Sequence, residues 1–260
     1  MWNRELAAAK KISVVAGKAI IDVYKSENIS VEYKTDESPL TIADKKSNEI
    51  IIGYLKEKFP FYAILSEEEK DNPARLDNDF CFIVDPLDGT KEFLKRNGQF
   101  TVNIALSYKH EVVMGVIYVP VSGELYYATQ DIGAFYVDSN GVEQQIYVSD
   151  TKDIKKLKAV ISNSHGCKQM DELILKYQLT DFVKVGSSLK GCMVAKGDAD
   201  IYYRFNPTME WDTAAMQCIV EAAGGYFRQM DGSKMLYNRI NSLNDKGFFA
   251  INHKCNLLTL

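Results

Sequence analysis

The chain has 260 residues, 46% of them hydrophobic and 25% charged, which is the composition of a globular protein with a sizeable core. A formal net charge of −4 disfavours binding to a nucleic acid polymer, which requires a strongly basic surface. The five cysteines form no CxxC pair, and no apolar run is long enough for a membrane-spanning helix, which needs about 18 residues.

Cysteine usage and the first residues of the chain predict a cytoplasmic protein. The cysteines are scattered and odd in number, which is typical of reduced thiols rather than a disulfide scaffold. The N-terminus lacks the layout of a secretory signal, because Lys10, Lys11 and Lys18 interrupt the apolar positions. Peripheral attachment at the inner face of the cell membrane stays open.

In the first half, helices precede a series of strands. Apolar spacing predicts a helix over residues 6–23 and a second over 44–59, with Thr41 near its N-cap. The polar region 31–40 between them is either a loop or a short hairpin. A buried strand is predicted at 82–84, and Pro86 is expected to end it. An antiparallel meander should follow at 101–107, 112–119, 124–129 and 134–137.

In the second half, strands alternate with helices. Strands are predicted at 158–162, 182–185, 201–203, 226–227 and 247–251, and helices at 169–177, 189–195 and 213–223. This pattern predicts an α/β class, with helices and sheets in alternating layers. We expect two halves, 1–145 with most of the acidic motifs and 146–260 with the last one, joined in one compact catalytic unit.

The segment Asp85-Pro86-Leu87-Asp88-Gly89-Thr90 carries the main chemical signal. It should bring two carboxylates to the point where a strand meets a helix, with Gly89 in an unusual backbone conformation and Thr90 capping the helix. Free amides at the helix start suit an anion such as phosphate, and carboxylates beside that anion require cations between them. The alternative is an ordinary Asp-Pro and Asp-Gly turn.

Two further acidic segments have simple structural alternatives. In Ser66-Glu67-Glu68-Glu69, an apolar strand would deliver Glu67 to its end, but Ser66 with Glu69 also matches a capping box. In Glu210-Trp211-Asp212-Thr213-Ala214-Ala215, Asp212 opens an apolar helix and would by itself be a plain N-cap.

Together, these three segments in this order resemble the inositol monophosphatase superfamily of lithium-sensitive, magnesium-dependent phosphatases. The resemblance covers almost the whole chain and implies that superfamily's layered fold. It also implies two or three Mg²⁺ ions held by the side chains of Glu67, Asp85, Asp88 and Asp212 and by the backbone carbonyl of Leu87.

The same resemblance implies a mechanism without a covalent phosphoenzyme, in which a metal-activated water attacks phosphorus directly. Thr90, with Glu67 or Asp44 nearby, would orient or deprotonate that water.

Within the superfamily, four stretches resemble the 3'(2'),5'-bisphosphate nucleotidases of the CysQ type. They are residues 38–44, residues 88–98, the Ser162-Asn163-Ser164-His165 turn, and Gly186-Ser187-Ser188-Leu189-Lys190 with Tyr203-Arg204. The substrate-binding residues that this implies are Glu67, Leu87, Asp88, Gly89, Thr90, His165, Ser187, Lys190, Arg204 and Asp212.

The resemblance implies that the protein removes the 3'-phosphate of adenosine 3',5'-bisphosphate, with its 5'-phosphosulfate form as a further substrate. Lys190 and Arg204 would hold the phosphate that remains. The alternatives are an inositol or sugar phosphatase with the same metals, and a non-catalytic metal and nucleotide sensor. The chain departs from the superfamily at Met216, where glycine is common. The resemblance also implies a small nucleotide as the partner, and a monomer or homodimer.

Overall fold

Two helices form the outer layer on one side of the protein. In the computed structural model, which describes residues 1–26, 31–33, 39–163 and 166–260, α1 spans Asn3–Tyr24 and α2 spans Ile42–Lys58. Thr41 caps α2 as predicted, since its hydroxyl accepts a hydrogen bond from the Ala43 amide at 3.1 Å. Between the helices, β1 (Val31–Tyr33) pairs antiparallel with β2 (Pro39–Thr41), which supports the hairpin alternative.

The α1 and α2 layer covers one face of a seven-stranded sheet. Its strands lie in chain order, and all neighbours are antiparallel except the parallel first pair, so the predicted meander is confirmed. The strands are β3 (Ala63–Ser66), β4 (Phe80–Asp88), β5 (Thr101–Tyr108), β6 (Glu111–Val119), β7 (Glu124–Thr129), β8 (Gly133–Val137) and β9 (Glu143–Ile146).

The prediction that Pro86 ends its strand is wrong. Strand β4 continues to Asp88, because Asp85 pairs with Asn103 and Asp88 with Thr101 across a register shift. Three steps along β4 therefore match two along β5, which is the signature of a β-bulge. A bulge accommodates proline without breaking the sheet, because the extra residue does not need to donate to the ladder.

A second, five-stranded sheet belongs to the second half of the chain. Its order is β11 (Asp181–Val185), β10 (Lys158–Ser162), β12 (Ile201–Arg204), β16 (Phe248–Ile251) and β14 (Tyr226–Gln229). Three helices accompany it, namely α4 (Lys168–Tyr177), α5 (Leu189–Lys196) and α6 (Glu210–Ala222). A small ladder of β13 (Thr208–Met209) with β15 (Leu243–Asn244) precedes α6, and the short α3 (Thr90–Leu94) follows β4.

Three hydrophobic clusters bind these elements into five layers. The first joins α1 and α2 to one face of the large sheet, and the second joins the other face to α5, α6 and the small sheet. The third packs α4 on the outer face of the small sheet. The predicted layered α/β fold is confirmed, and α6 lies between the sheets. No helix among the described residues has both the length and the apolarity needed to cross a membrane.

The packing of α6 on the large sheet depends on Gly115 of β6. A Cβ atom there would lie 2.6 Å from the carbonyl oxygen of Ala215, so the strand contacts the backbone of α6 directly. We expect Gly115→Ala to lower the free energy of unfolding by about 2 kcal/mol through overpacking. Urea denaturation measures this, with Gly53→Ala as the matched control. Gly53 lies in α2 with open space around it, so alanine there should raise stability slightly; equal effects of both changes would contradict the close approach.

Candidate active site

The predicted acidic segments meet at one end of the large sheet. Glu67 follows β3, Asp85 and Asp88 flank the bulge of β4, and Asp212 lies in the first turn of α6. One carboxylate oxygen each from Asp85, Asp88 and Asp212 lies within 4.8 Å of the other two. Long-range folding therefore brings together acids from distant parts of the sequence.

The acidic cluster is electrostatically unfavourable in the absence of a cation. Asp85 is only 1% exposed, and burial together with the charges of Glu67 and Asp88 holds its pKa well above the usual range. Burial, and next the charge of Asp88, raises the pKa of Asp212 to about 7. Among the described residues, no Lys or Arg forms an ion pair with Asp85, Asp88 or Asp212. The cluster is thus arranged to receive a positive charge.

The structural alternatives for the flanking acids are wrong. Residues 67–72 form no helix, so Ser66 and Glu69 form no capping box, and β3 does deliver Glu67 to its end. Asp212 is not the N-cap of its helix either, because α6 begins at Glu210. Instead, the Asp212 carboxylate turns back and accepts a hydrogen bond from the Met209 amide at 2.6 Å. That bond satisfies one free amide at the helix start and fixes the carboxylate.

The prediction that Thr90 caps α3 is wrong. Gly89 is the N-cap, with φ of 95°, and a side chain there would crowd both Gln99 and Ser187. Thr90 is the first helical residue, and its hydroxyl lies 3.1 Å from Oδ1 of Asp44. Asp44 itself is 2% exposed, and burial raises its pKa. The hydroxyl of Thr90 is therefore connected directly to a buried carboxylate.

A second group of residues lining the same cavity carries cationic and hydroxyl groups, and we call it the cationic end of the site. Lys190 is 7% exposed, burial lowers its pKa to about 8, and its ammonium donates to the Ser187 carbonyl at 2.5 Å. The Ser187 hydroxyl and Nε of Arg204 are buried without a hydrogen-bond partner among the described residues. Buried donors without an acceptor are costly, so this end is suited to an anionic ligand.

Both ends open into one cavity of about 270 Å³. The predicted site residues that line it are Glu67, Asp85, Leu87, Asp88, Gly89, Thr90, Ser187, Lys190, Arg204 and Asp212. Asp44 lies behind Thr90 rather than in the lining. His165 and its neighbour Ser164 lie outside the described residues.

The chain is similar to known proteins over nearly its full length. The model of the inositol monophosphatase family matches residues 2–254. The 3'(2'),5'-bisphosphate nucleotidase CysQ of Salmonella typhimurium is 41% identical over 238 residues, covering 90% of this chain and 94% of that protein. The chain belongs to the inositol monophosphatase family.

Solved structures of the family share the fold described above. CysQ from Bacteroides thetaiotaomicron matches with a TM-score of 0.82 and 40% identity, covering 95% of this chain and 97% of that one. An inositol monophosphatase from Anabaena matches with a TM-score of 0.76 and 26% identity, over 96% and 91% of the two chains.

Members of the inositol monophosphatase family depend on a metal ion, generally Mg²⁺, and the residues of this chain fit one. Asp85, Asp88 and Asp212 offer only oxygen ligands, which hard cations prefer, and they are close enough to share an ion. Burial, and next the charges of neighbouring acids, raises the pKa values of Asp85 and Asp212, and a bound cation would offset that repulsion.

Met216, the departure from the family pattern, is accommodated by Gly191. A Cβ atom on Gly191 would lie 2.1 Å from Cγ of Met216, so the methionine fills the space beside a glycine of the neighbouring helix. Met216 is 3% exposed and lines the cavity. The departure thus changes the apolar wall of the site and leaves the carboxylates in place.

Two residues of the site were missed from the sequence. Ser188 and Asn103 both donate to Asp88, although neither was predicted to contact the acids. Ser188 adjoins the predicted Ser187, which was a usable signal. Asn103 lies within a strand, and nothing local marks it as part of the site.

Magnesium should stabilise the protein more at pH 8 than at pH 5.5. In the metal-free protein, the raised pKa of Asp212 means that the folded state binds more protons than the unfolded state between about pH 4 and 7. The stability of the metal-free protein therefore falls as pH rises through that window. A bound cation offsets the repulsion between Asp212 and Asp88 that contributes to this fall. Differential scanning fluorimetry with EDTA or excess Mg²⁺ measures this; an equal increase in Tm at both pH values would contradict it.

Proposed function

We propose that this protein is a magnesium-dependent phosphatase that removes the 3'-phosphate of adenosine 3',5'-bisphosphate, giving AMP and phosphate. The observation that carries this proposal is the cavity with two chemically different ends. One end holds Asp85, Asp88 and Asp212, and the other holds Lys190 and Arg204. A substrate with two phosphates fits both ends, since one phosphate can react at the acids while the cations hold the other. Relatives that are 41% and 39% identical to this chain are named 3'(2'),5'-bisphosphate nucleotidase CysQ.

The acidic end would hold the metal. Glu67, Asp85, Asp88, Asp212 and the carbonyl of Leu87 are the ligands that we assign to it. When bound, magnesium neutralises the phosphate and the leaving oxygen and lowers the pKa of a water molecule. The bulge of β4 and the αL conformation of Gly89 direct the acids and the start of α3 toward the same space.

Thr90 and Asp44 are assigned to the attacking water. If the Thr90 hydroxyl donates its proton to Oδ1 of Asp44, its oxygen is left as an acceptor directed to the cavity. The water can then pass a proton to Thr90 while Thr90 passes its own to Asp44. Asp44 accepts two further hydrogen bonds from Thr41, at 2.8 and 2.6 Å, which keep it in position. Glu67 stays an alternative base.

At the other end, Lys190, Arg204 and the Ser187 hydroxyl would bind the phosphate that is not cleaved. A phosphate oxygen would give the buried Ser187 hydroxyl and Nε of Arg204 the acceptor that they lack. It would also raise the pKa of Lys190 again, because an adjacent anion favours the ammonium form.

Phosphate release with Mg²⁺ tests the proposal, with adenosine 3',5'-bisphosphate and inositol 1-phosphate at equal concentrations. Each substrate is measured with and without lithium. We expect a strong, lithium-sensitive preference for the nucleotide. A preference for inositol 1-phosphate would contradict the substrate assignment and favour the second candidate, an inositol or sugar phosphatase. No release from either substrate would point to a metal and nucleotide sensor.

Several expectations from the family resemblance belong to this proposal. They are two or three ions, activity toward the 5'-phosphosulfate form, a role in sulfur metabolism, and a cytoplasmic monomer or homodimer with or without attachment to the membrane surface.

A further inference from the structure

The segment that begins α5 contacts the acidic end of the cavity through Ser188. The backbone amide and the hydroxyl of Ser188 both donate to Oδ2 of Asp88, at 2.6 and 2.7 Å. Ser188 is 1% exposed, so these bonds are shielded from water. Hydrogen bonds from buried donors to a carboxylate are strong, and two of them on one oxygen fix the rotation of the side chain.

Two residues of β5 complete the arrangement around Asp88. Asn103 donates to the Ser188 hydroxyl at 2.9 Å and lies 3.3 Å from Oδ2 of Asp88, and Thr101 lies 3.4 Å from the same oxygen. Thr101 also donates to Asn103 at 2.9 Å. Among the described residues, every donor to Asp88 is directed to Oδ2. The arrangement thus holds one oxygen and leaves Oδ1 for another ligand.

Ser188 also adjoins a residue of the cationic end in the sequence. It follows Ser187, whose backbone is in the left-handed region with φ of 48°, and whose carbonyl accepts from Lys190. A non-glycine residue in that conformation is held there by its surroundings. Movement of the Ser187 turn would therefore move both donors to Asp88.

We propose that Ser188 is a positioning residue that orients Asp88 for metal binding and connects the phosphate-holding turn to the acidic end. The connecting role rests on the proposed function, and the orienting role does not. If the retained phosphate fixes the turn, its binding energy contributes to turnover as well as to affinity. A nucleotide without that phosphate then has a lower kcat and not only a higher KM.

Metal binding without turnover tests the orienting role. Mn²⁺ is titrated into the metal-free full-length protein, and free Mn²⁺ is followed by electron paramagnetic resonance. We expect Ser188→Ala to bind Mn²⁺ about tenfold more weakly, because residues that orient metal ligands have effects of this size. The control is Ser107→Ala, which removes another buried hydroxyl, bonded to the Cys81 carbonyl, and should bind Mn²⁺ like the wild type. Unchanged affinity in Ser188→Ala would overturn the proposal.

Steady-state kinetics test the connection, with adenosine 3',5'-bisphosphate and adenosine 3'-monophosphate as substrates. In the wild type, we expect loss of the 5'-phosphate to lower kcat about tenfold and to raise KM. In Ser188→Ala, loss of the 5'-phosphate from the substrate should raise KM, and the kcat values for the two nucleotides should differ by less than about twofold. The same kcat ratio in both proteins would overturn the connection. A wild type that hydrolyses neither nucleotide, combined with weaker Mn²⁺ binding in Ser188→Ala, would contradict the proposed function and support the orienting role.

Discussion

Replacing Asp88 by asparagine should lower kcat by at least about a thousandfold while leaving the protein folded. The amide keeps the shape of the side chain and can still accept the bonds from Ser188. It removes one negative charge from the acids that would hold the metal, so the site would stabilise the transition state less well. Phosphate release at saturating Mg²⁺ measures the loss.

The stability of the same variant separates a missing ligand from a damaged fold. Asp88 and Asp212 repel each other in the metal-free protein, so removal of the charge should leave Tm unchanged or raise it. The matched control is Asp245→Asn, which changes an exposed aspartate and should retain full activity. Retention of activity by Asp88→Asn would remove Asp88 from the metal site, and a large drop in Tm would assign it a structural role instead.

Replacing Lys190 should impair the bisphosphate substrate far more than a sugar monophosphate. We expect Lys190→Ala to reduce kcat/KM for adenosine 3',5'-bisphosphate about a hundredfold, which is the loss typical of a buried charge-assisted hydrogen bond. The effect on inositol 1-phosphate should stay below about fivefold, because that substrate has no second phosphate. Parallel initial-rate measurements on both substrates give the comparison.

Two further variants separate the charge of Lys190 from its volume. Lys190→Met keeps most of the buried volume without the charge, so it should share the hundredfold defect. Lys196→Ala removes a lysine at the other end of α5, where it pairs with Asp198, and should leave both activities intact. Equal losses on the two substrates would show that Lys190 does not recognise the second phosphate.

Several elements could be predicted from the sequence because their signals are local. Helices α1 and α2 follow from apolar spacing and a Thr41 cap, and the meander follows from short apolar runs between turn residues. The Asp85 to Thr90 segment also concentrates its acids within a few residues, so a metal-site hypothesis needed no tertiary information.

The element boundaries near the site were predicted less well. The sequence placed the end of a strand at Pro86 and a cap at Thr90, while the structure has a bulge and a Gly89 cap. It also placed Asp212 at the start of its helix, which begins at Glu210. In these places, pairing with a neighbouring strand and packing between layers override the local preferences of the chain.

By itself, the sequence determined the family, the layered α/β class, and the acids and cations that meet in one cavity. Only the tertiary structure decided how these groups are held. Thr90 donates a hydrogen bond to Asp44, and Ser188 and Asn103 donate to Asp88. These bonds join residues 15 to 100 positions apart in the sequence. Composition and periodicity report which residues are buried, but the partners of a buried polar group depend on register and layer packing. These are set only when the whole chain has folded.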